Sequence, residues 1–104
     1  MTNIDQTQFQ DLVAKDSNAL ILDVRTPAEW SGGVIPNAVR IDVMNTNGFI
    51  AQIDNLDKSK NIYVYCRSGQ RSQVACNLLE QTGFETTYNL LGGISAWRGE
   101  VVQP

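Results

Sequence analysis

The sequence predicts an α/β fold, a sheet covered by helices. Two observations carry that expectation. The runs Ala19-Leu-Ile-Leu-Asp-Val24 and Asn61-Ile-Tyr-Val-Tyr-Cys66 are short and dense in branched or aromatic residues, the pattern of buried strands. Each run leads through a loop into helix signals, an alternation foreign to a β-sandwich. In such folds a ligand lies beyond the C-terminal strand ends, here the ends of residues 19–24 and 61–66.

The elements follow in order. Residues 7–15 predict a first helix with Phe9, Leu12 and Val13 on one apolar stripe. After the strand at 19–24, Thr26-Pro27-Ala28-Glu29 starts a helical turn: Thr26 can cap, Pro27 suits the first position and Glu29 stands where a capping box needs it. Gly32-Gly33 ends it. Residues 38–42 read as a short strand, while 49–53 is ambiguous; a helix there exposes or buries Phe49, Ile50 and Ile53 together. Beyond the strand at 61–66, residues 71–81 form the clearest helix, with Val74, Ala75, Leu78 and Leu79 as packing face and Gly83 as terminator. Residues 86–90 make a last strand. Gly92-Gly93 then precedes a short helix, 94–97, whose Trp97 packs on the sheet, with a substrate wall as its secondary reading; Trp30 has a similar ambiguity.

A chain of 104 residues fits one domain, 1–104, and a second folded domain is not expected. Its formal charge of −3 and the lack of any long basic run argue against a nucleic-acid partner. Apolar residues fall in short runs, so no membrane span is predicted, and no secretory signal is visible in residues 1–9; the default placement is cytoplasmic. Two cysteines and no histidine support neither a disulfide framework nor a zinc site. A Cys66–Cys76 disulfide would distort the predicted loop and helix, so two free thiols are the simpler reading.

Chemistry concentrates at Cys66. It ends a strand, and Arg67-Ser68-Gly69-Gln70-Arg71 leads directly into the helix. A loop in that position can turn backbone N–H groups inward while the helix adds its positive end, which stabilises a thiolate. Gly69 permits close backbone approach, and Ser68 supplies a hydroxyl. Arg67 and Arg71 bracket the loop with no acid between them, a basic spot sized for a small anion. A lone cysteine is often just a small buried hydrophobe, but this setting favours a nucleophile.

Several blocks together resemble the rhodanese family of sulfurtransferases: Leu22-Asp-Val-Arg25 with Glu29-Trp30, Gly33-Val-Ile-Pro36 with Ala38, Cys66-Arg-Ser-Gly-Gln-Arg71-Ser72, and Asn89-Leu-Leu-Gly-Gly-Ile94 with Ala96-Trp97. The resemblance spans nearly the whole chain. It implies a three-layer domain with a central, mostly parallel sheet of about five strands flanked by helices. It also implies that Cys66 accepts sulfur as a persulfide and that residues 66–71 form the active loop. The expected donors are thiosulfate or another small sulfur-containing anion, or a persulfide or polysulfide. The expected acceptors are cyanide, a thiol or a protein. No metal or organic cofactor is expected, and a monomer is.

Individual roles stay open at this point. Arg71 either faces the donor or ties the loop to nearby carboxylates, with loop organisation favoured; Arg67 occupies a more variable place and tunes donor choice. Ser68 and Ser72 bind the anion, orient a carbonyl or cap the helix, and Gln70 lines the pocket. Asp23 and Arg25 match the family's supporting strand-end pair, the alternative being a surface ion pair. Glu29 engages an arginine or completes the Thr26 cap. Val34 stands where many relatives have histidine, which implies altered local hydrogen bonding. Cys76, inside the predicted helix, is a packing residue or an incidental thiol, with persulfide exchange or oxidation as the alternative.

Two rivals remain. Cysteine phosphatases and arsenate reductases also set a thiolate in an arginine-closed loop, but with five intervening residues where Cys66 and Arg71 enclose four. The shorter interval predicts a tighter cradle, suited to sulfur rather than a tetrahedral phosphate. A noncatalytic sulfur carrier or protein-interaction domain is the rival of a different class.

Overall fold

The computed structural model describes residues 1–104. Five strands, β1 (Thr2–Ile4), β2 (Ala19–Asp23), β3 (Val39–Arg40), β4 (Asn61–Tyr65) and β5 (Thr87–Leu90), form one sheet ordered β1-β5-β4-β2-β3. Every pairing is parallel. The helices are α1 (Gln6–Lys15), α2 (Pro27–Trp30), α3 (Thr46–Ile53) and α4 (Gln70–Gln81), with a 3-10 turn at Ile94–Ala96.

Central strand β4 shows why both faces are covered. Ile62, Val64 and, just past the strand, Cys66 join Leu22, Val24, Phe49, Ile53, Ala75 and Leu79 in one core. Tyr63 and Tyr65 alternate onto the other face, with Ile4, Phe9, Ile21, Ile35 and Leu90. Phe9 of α1 meets Tyr63 edge-on at 5.6 Å and Trp97 at 5.5 Å. No helix is long and apolar enough to cross a membrane.

Local chemistry sets the helix ends. Asp5 accepts a hydrogen bond from the Gln8 N–H at 2.8 Å while the Gln8 side chain accepts from the Asp5 N–H at 3.0 Å, closing a capping box at α1. At the end of α4, Gly83 takes φ +107; its N–H reaches the Glu80 carbonyl at 3.2 Å and the Phe84 N–H reaches that of Leu79 at 3.1 Å. That pair of bonds is a Schellman stop, as Gly83 predicts.

Several expectations need correction. Val74 does not belong to the packing face of α4: it is 55% exposed, and the buried residues are Ser72, Ala75, Cys76 and Leu79. Counting apolar residues chose the wrong stripe because Ser72 and Cys76 are small and polar yet face inward. Phe49, Ile50 and Ile53 do not act together; in α3 the i, i+4 pair Phe49 and Ile53 is buried while Ile50 faces out. The strand predicted at 38–42 shrinks to Val39–Arg40, and the helix at 94–97 is one 3-10 turn with Trp97 outside it. β1 was not predicted, since only Ile4 of its three residues is buried and its identity as a strand comes from pairing with β5.

The strand order locates the crevice. From β2 the chain crosses to β3 on one side, and from β4 it crosses to β5 on the other. The sheet therefore has a topological switch point between the C-terminal ends of β2 and β4. Asp23 pairs in register with Tyr65 there, and Cys66 is the next residue.

Candidate functional site

Cys66 is the first residue after β4 and is 1% exposed. Burial alone pushes its thiol pKa up, but the Ser72 hydroxyl and the N–H groups of Ser72, Gly69 and Ser68 outweigh it and hold the thiol below its ordinary value. The Gly69 N–H donates to Sγ at 3.1 Å. Gly69 caps α4 with φ +103, so the residue that turns the loop inward also starts the helix whose positive end faces the sulfur.

The Ser72 hydroxyl lies 3.4 Å from Cys66 Sγ and donates to Asn89 Oδ1 at 2.5 Å. Asn89 Nδ2 in turn donates to the Gly69 carbonyl at 3.2 Å and to Asn3 Oδ1 at 3.0 Å, which fixes the amide's orientation. Ser72 has one proton, so while it serves Asn89 the protonated thiol is the donor to Ser72 Oγ. On ionisation the hydroxyl can turn to the sulfur. Asn89 stood in the sequence only as part of a matching block, with no role given to it; the available signal was a polar residue inside a buried strand, which needs partners.

A second contact fixes the loop from behind. The Ile94 N–H donates to the Cys66 carbonyl and the Ser95 N–H to the Arg67 carbonyl, both at 3.0 Å. Gly93, at φ +56, passes so close that a Cβ there would stand 2.4 Å from the Arg67 carbonyl oxygen. The Gly92-Gly93 pair thus permits a backbone approach that any side chain blocks.

Arg71 closes the loop on a carboxylate. Its NH1 and NH2 donate to Glu29 Oε1 and Oε2 at 2.7 and 2.8 Å. Glu29 also accepts from the Thr26 N–H at 3.3 Å, so both sequence alternatives for it hold at once. Arg71, then the Thr26 bonds, lower the Glu29 pKa to about 2 against the desolvation that raises it. Arg67, Ser68 and Gln70 are exposed around the mouth, and Arg67 forms no salt bridge.

Asp23 and Arg25 are no surface pair. Arg25 NH2 meets Asp23 Oδ2 at 2.7 Å with side chains 6% and 0% exposed, and also donates to the Gly33 carbonyl at 2.8 Å. The Tyr65 hydroxyl donates to Asp23 Oδ2 at 2.6 Å and accepts from the Ile35 N–H at 3.0 Å. Burial, then Asp23, raise the Tyr65 pKa, so the phenol stays protonated and acts as a fixed donor. Neither Asp23 nor Arg25 hydrogen-bonds the Cys66 sulfur; they tie the neighbouring loop to the sheet.

Val34, the departure from the family pattern noted in the sequence, is buried and exchanges two 2.8 Å backbone bonds with Val102. Both cysteines are free. Burial pushes the Cys76 thiol up to about 12, which suits packing rather than reaction.

A parallel sheet with a cysteine loop at its switch point defines the class, and the family model for the Rhodanese-like domain matches residues 5–100. The chain belongs to that family. It is 35% identical over 97 residues to a sulfurtransferase of Allochromatium vinosum, covering 93% of this chain and 88% of that one. It is likewise 35% identical over 97 residues to a putative sulfurtransferase of Bacillus subtilis, covering 93% and 90%. The crystal structure of a rhodanese-like domain protein from Staphylococcus aureus superposes with a TM-score of 0.85 at 28% identity, covering 100% of this chain and 99% of the other. The family and the relatives' names support sulfur transfer as the general chemistry.

Proposed function

We propose that this chain is a sulfurtransferase that moves sulfane sulfur from thiosulfate or a persulfide or polysulfide donor, through a Cys66 persulfide, to cyanide, a small thiol or a protein acceptor. The observation that carries the reading is the buried Cys66 sulfur facing the N–H groups of Ser68, Gly69 and Ser72. These fixed dipoles favour a thiolate and then the charge of a terminal sulfur, without reorganising during reaction.

In the first step the Cys66 thiolate attacks the outer sulfur of the donor. With thiosulfate, an Sγ–S bond forms, the S–S bond to the sulfonate sulfur breaks, and its electron pair leaves with sulfite. In the second step cyanide or a thiolate attacks the terminal sulfur, giving thiocyanate or a new persulfide and regenerating Cys66. Both steps balance without an added oxidant or reductant. Arg67, Ser68 and Gln70 meet the donor at the mouth; Arg71 and Ser72 hold the loop, and Asp23 and Arg25 support it from the neighbouring strand.

Intact-mass measurement after donor exposure tests the reading. One added sulfur atom is expected on the wild type and none at this position in Cys66→Ser. A wild-type protein that gains no sulfur from any sulfane donor overturns it. Thiosulfate:cyanide assays then separate turnover from relay to a protein acceptor: persulfide formation with negligible thiocyanate identifies relay.

A further inference from the structure

One hydroxyl proton stands between Cys66 and Asn89. Ser72 Oγ lies 3.4 Å from Cys66 Sγ and 2.5 Å from Asn89 Oδ1, and both Ser72 and Asn89 are buried, so bulk water does not compete for it. The Asn89 amide is held one way round. Its other atom reaches the Gly69 carbonyl at 3.2 Å, and a backbone carbonyl only accepts, which makes that atom Nδ2 and leaves Oδ1 for Ser72. While Cys66 is a thiol, the S–H serves Ser72 Oγ and the Ser72 proton serves Asn89, so all three groups are satisfied. When Cys66 is a thiolate, the proton turns to the sulfur in a charge-assisted bond and Asn89 Oδ1 is left buried without it. Ionisation therefore breaks one bond as it makes another.

We propose that Asn89 is a positioning residue that acts as a brake on Cys66: it holds the Ser72 proton away from the sulfur until negative charge develops there. In sulfur transfer, the reading on which this consequence rests, the hydroxyl moves once in each half-reaction. As the Cys66 thiolate bonds to the donor's outer sulfur, Sγ loses its charge and the hydroxyl returns to Asn89. As the acceptor attacks the terminal sulfur, the S–S bond breaks, its electron pair returns to Sγ and the hydroxyl turns back to it. The proton stays on Ser72 throughout.

The charged and titratable groups around the sulfur lie off this path. Arg71 of α4, paired with Glu29 of α2, and Cys76, one turn beyond Ser72, both feel the Cys66 charge, and Asp42 acts on Arg71 from the loop after β3. Arg67 belongs to the loop itself, and Asp23 and Arg25 are paired at the end of β2. From β5, Thr87 and Asn89 face α4 while Tyr88 stacks on Tyr63 on the other side of the sheet. Neither α3 nor the 92–95 segment carries a titratable side chain. Substituting Asn89 leaves every one of these groups in place.

Asn89→Leu tests this by the sign of its effect, since leucine has a similar size and accepts no proton. The readout is the pH profile of Cys66 alkylation by iodoacetamide, followed by intact mass. The midpoint is expected to fall by about 0.7 of a pH unit, about fivefold in the ionisation constant, for the one neutral hydrogen bond that no longer opposes the thiolate. In a Ser72→Ala background the same substitution is expected to give no fall, because the brake works only through that hydroxyl. A merely structural Asn89 predicts the reverse: losing the Gly69 contact loosens the N–H cradle, and the midpoint rises toward the ordinary 9.0. An unchanged or raised midpoint in Asn89→Leu, or an equal fall without the Ser72 hydroxyl, overturns the proposal and leaves sulfur transfer standing. A wild type that shows the brake but gains no sulfur from any sulfane donor overturns sulfur transfer alone. Should Asn89→Leu fail to fold, the Raman S–H stretch decides, with the Cys66 band identified by its loss in Cys66→Ser. Below the midpoint that band should lie at lower frequency in the wild type than in Ser72→Ala, as a donating thiol requires, and equal frequencies overturn the proposal.

Discussion

Gly93→Ala should break the loop without touching the sulfur. A Cβ at that position would stand 2.4 Å from the Arg67 carbonyl oxygen, 2.5 Å from its carbon and 2.6 Å from the Cys66 oxygen, all backbone atoms that cannot rotate away. The residue also sits at φ 56, ψ −159, a region essentially closed to side chains and costing about 1–3 kcal/mol. Relieving the overlap moves the segments apart by about 1 Å and strains the Ile94 and Ser95 bonds to those carbonyls, each worth about 1 kcal/mol. The sum is about 3–5 kcal/mol, a large share of the roughly 5–15 kcal/mol that holds a domain of this kind. Urea unfolding should show a midpoint lowered by about 1.5–5 M, for a slope of about 1–2 kcal/mol/M. Sulfur loading of Cys66 in the protein that stays folded should slow roughly 10- to 100-fold, as for a misplaced reacting group. Gly32→Ala is the control: its Cβ meets nothing nearer than the Glu29 carbonyl at 3.6 Å, and its effect should stay within about 0.5 kcal/mol. A Gly93→Ala protein with the wild-type midpoint and loading rate refutes the claim that this close approach holds the loop.

Two further outcomes concern pH. Arg71, followed by opposing desolvation, sets the Glu29 pKa near 2, below its unfolded value of 4.5, so the pair contributes stability above about pH 4.5 and loses it as pH falls toward 2. With both side chains 27% exposed, the contribution is discounted to about 1–2 kcal/mol. Denaturant midpoints for wild type and Arg71→Ala should therefore differ at pH 7 and converge toward pH 2; a constant gap contradicts the assignment. Iodoacetamide alkylation should label Cys66 first, with a midpoint below the ordinary value of 9.0 because Ser72 and the loop N–H groups outweigh burial, while Cys76 stays unlabelled in the folded protein. Cys76 labelling ahead of Cys66 contradicts the contrast drawn between the two thiols.

Much of the fold was legible because its signals are local. Pro27 and Glu29 mark a helix start, Gly83 marks a stop, and the runs at 19–24 and 61–66 match β2 and β4 to within one residue. Cys66, Gly69 and Arg71 were likewise readable, since a strand-to-helix junction carries its own geometry. What stayed hidden depends on partners far away in sequence. β1 exists through β5, Val34 is explained by Val102, and the buried face of α4 follows from Ser72 meeting Asn89 rather than from apolar counting. Glu29 is the instructive case: the sequence offered a cap or an arginine partner, and only the approach of α2 to α4 shows that one carboxylate serves both.

These distant contacts explain how a nearly fully buried sulfur can be kept ready to carry charge. The cradle is gripped from both strands that flank β4. On the β2 side, Asp23 holds Arg25, which donates to the Glu29 and Gly33 carbonyls; the Glu29 carboxylate then holds Arg71 at the start of α4. On the β5 side, Asn89 holds the Ser72 hydroxyl and the Gly69 carbonyl in that same first turn. A buried ion pair such as Asp23–Arg25 adds little net stability, because desolvation offsets the attraction. Its effect here is positional. It fixes the turn that presents Glu29, and through Arg71 it fixes the N–H groups aimed at Cys66. The sulfur is therefore stabilised by oriented dipoles that contacts from both flanking strands hold in place.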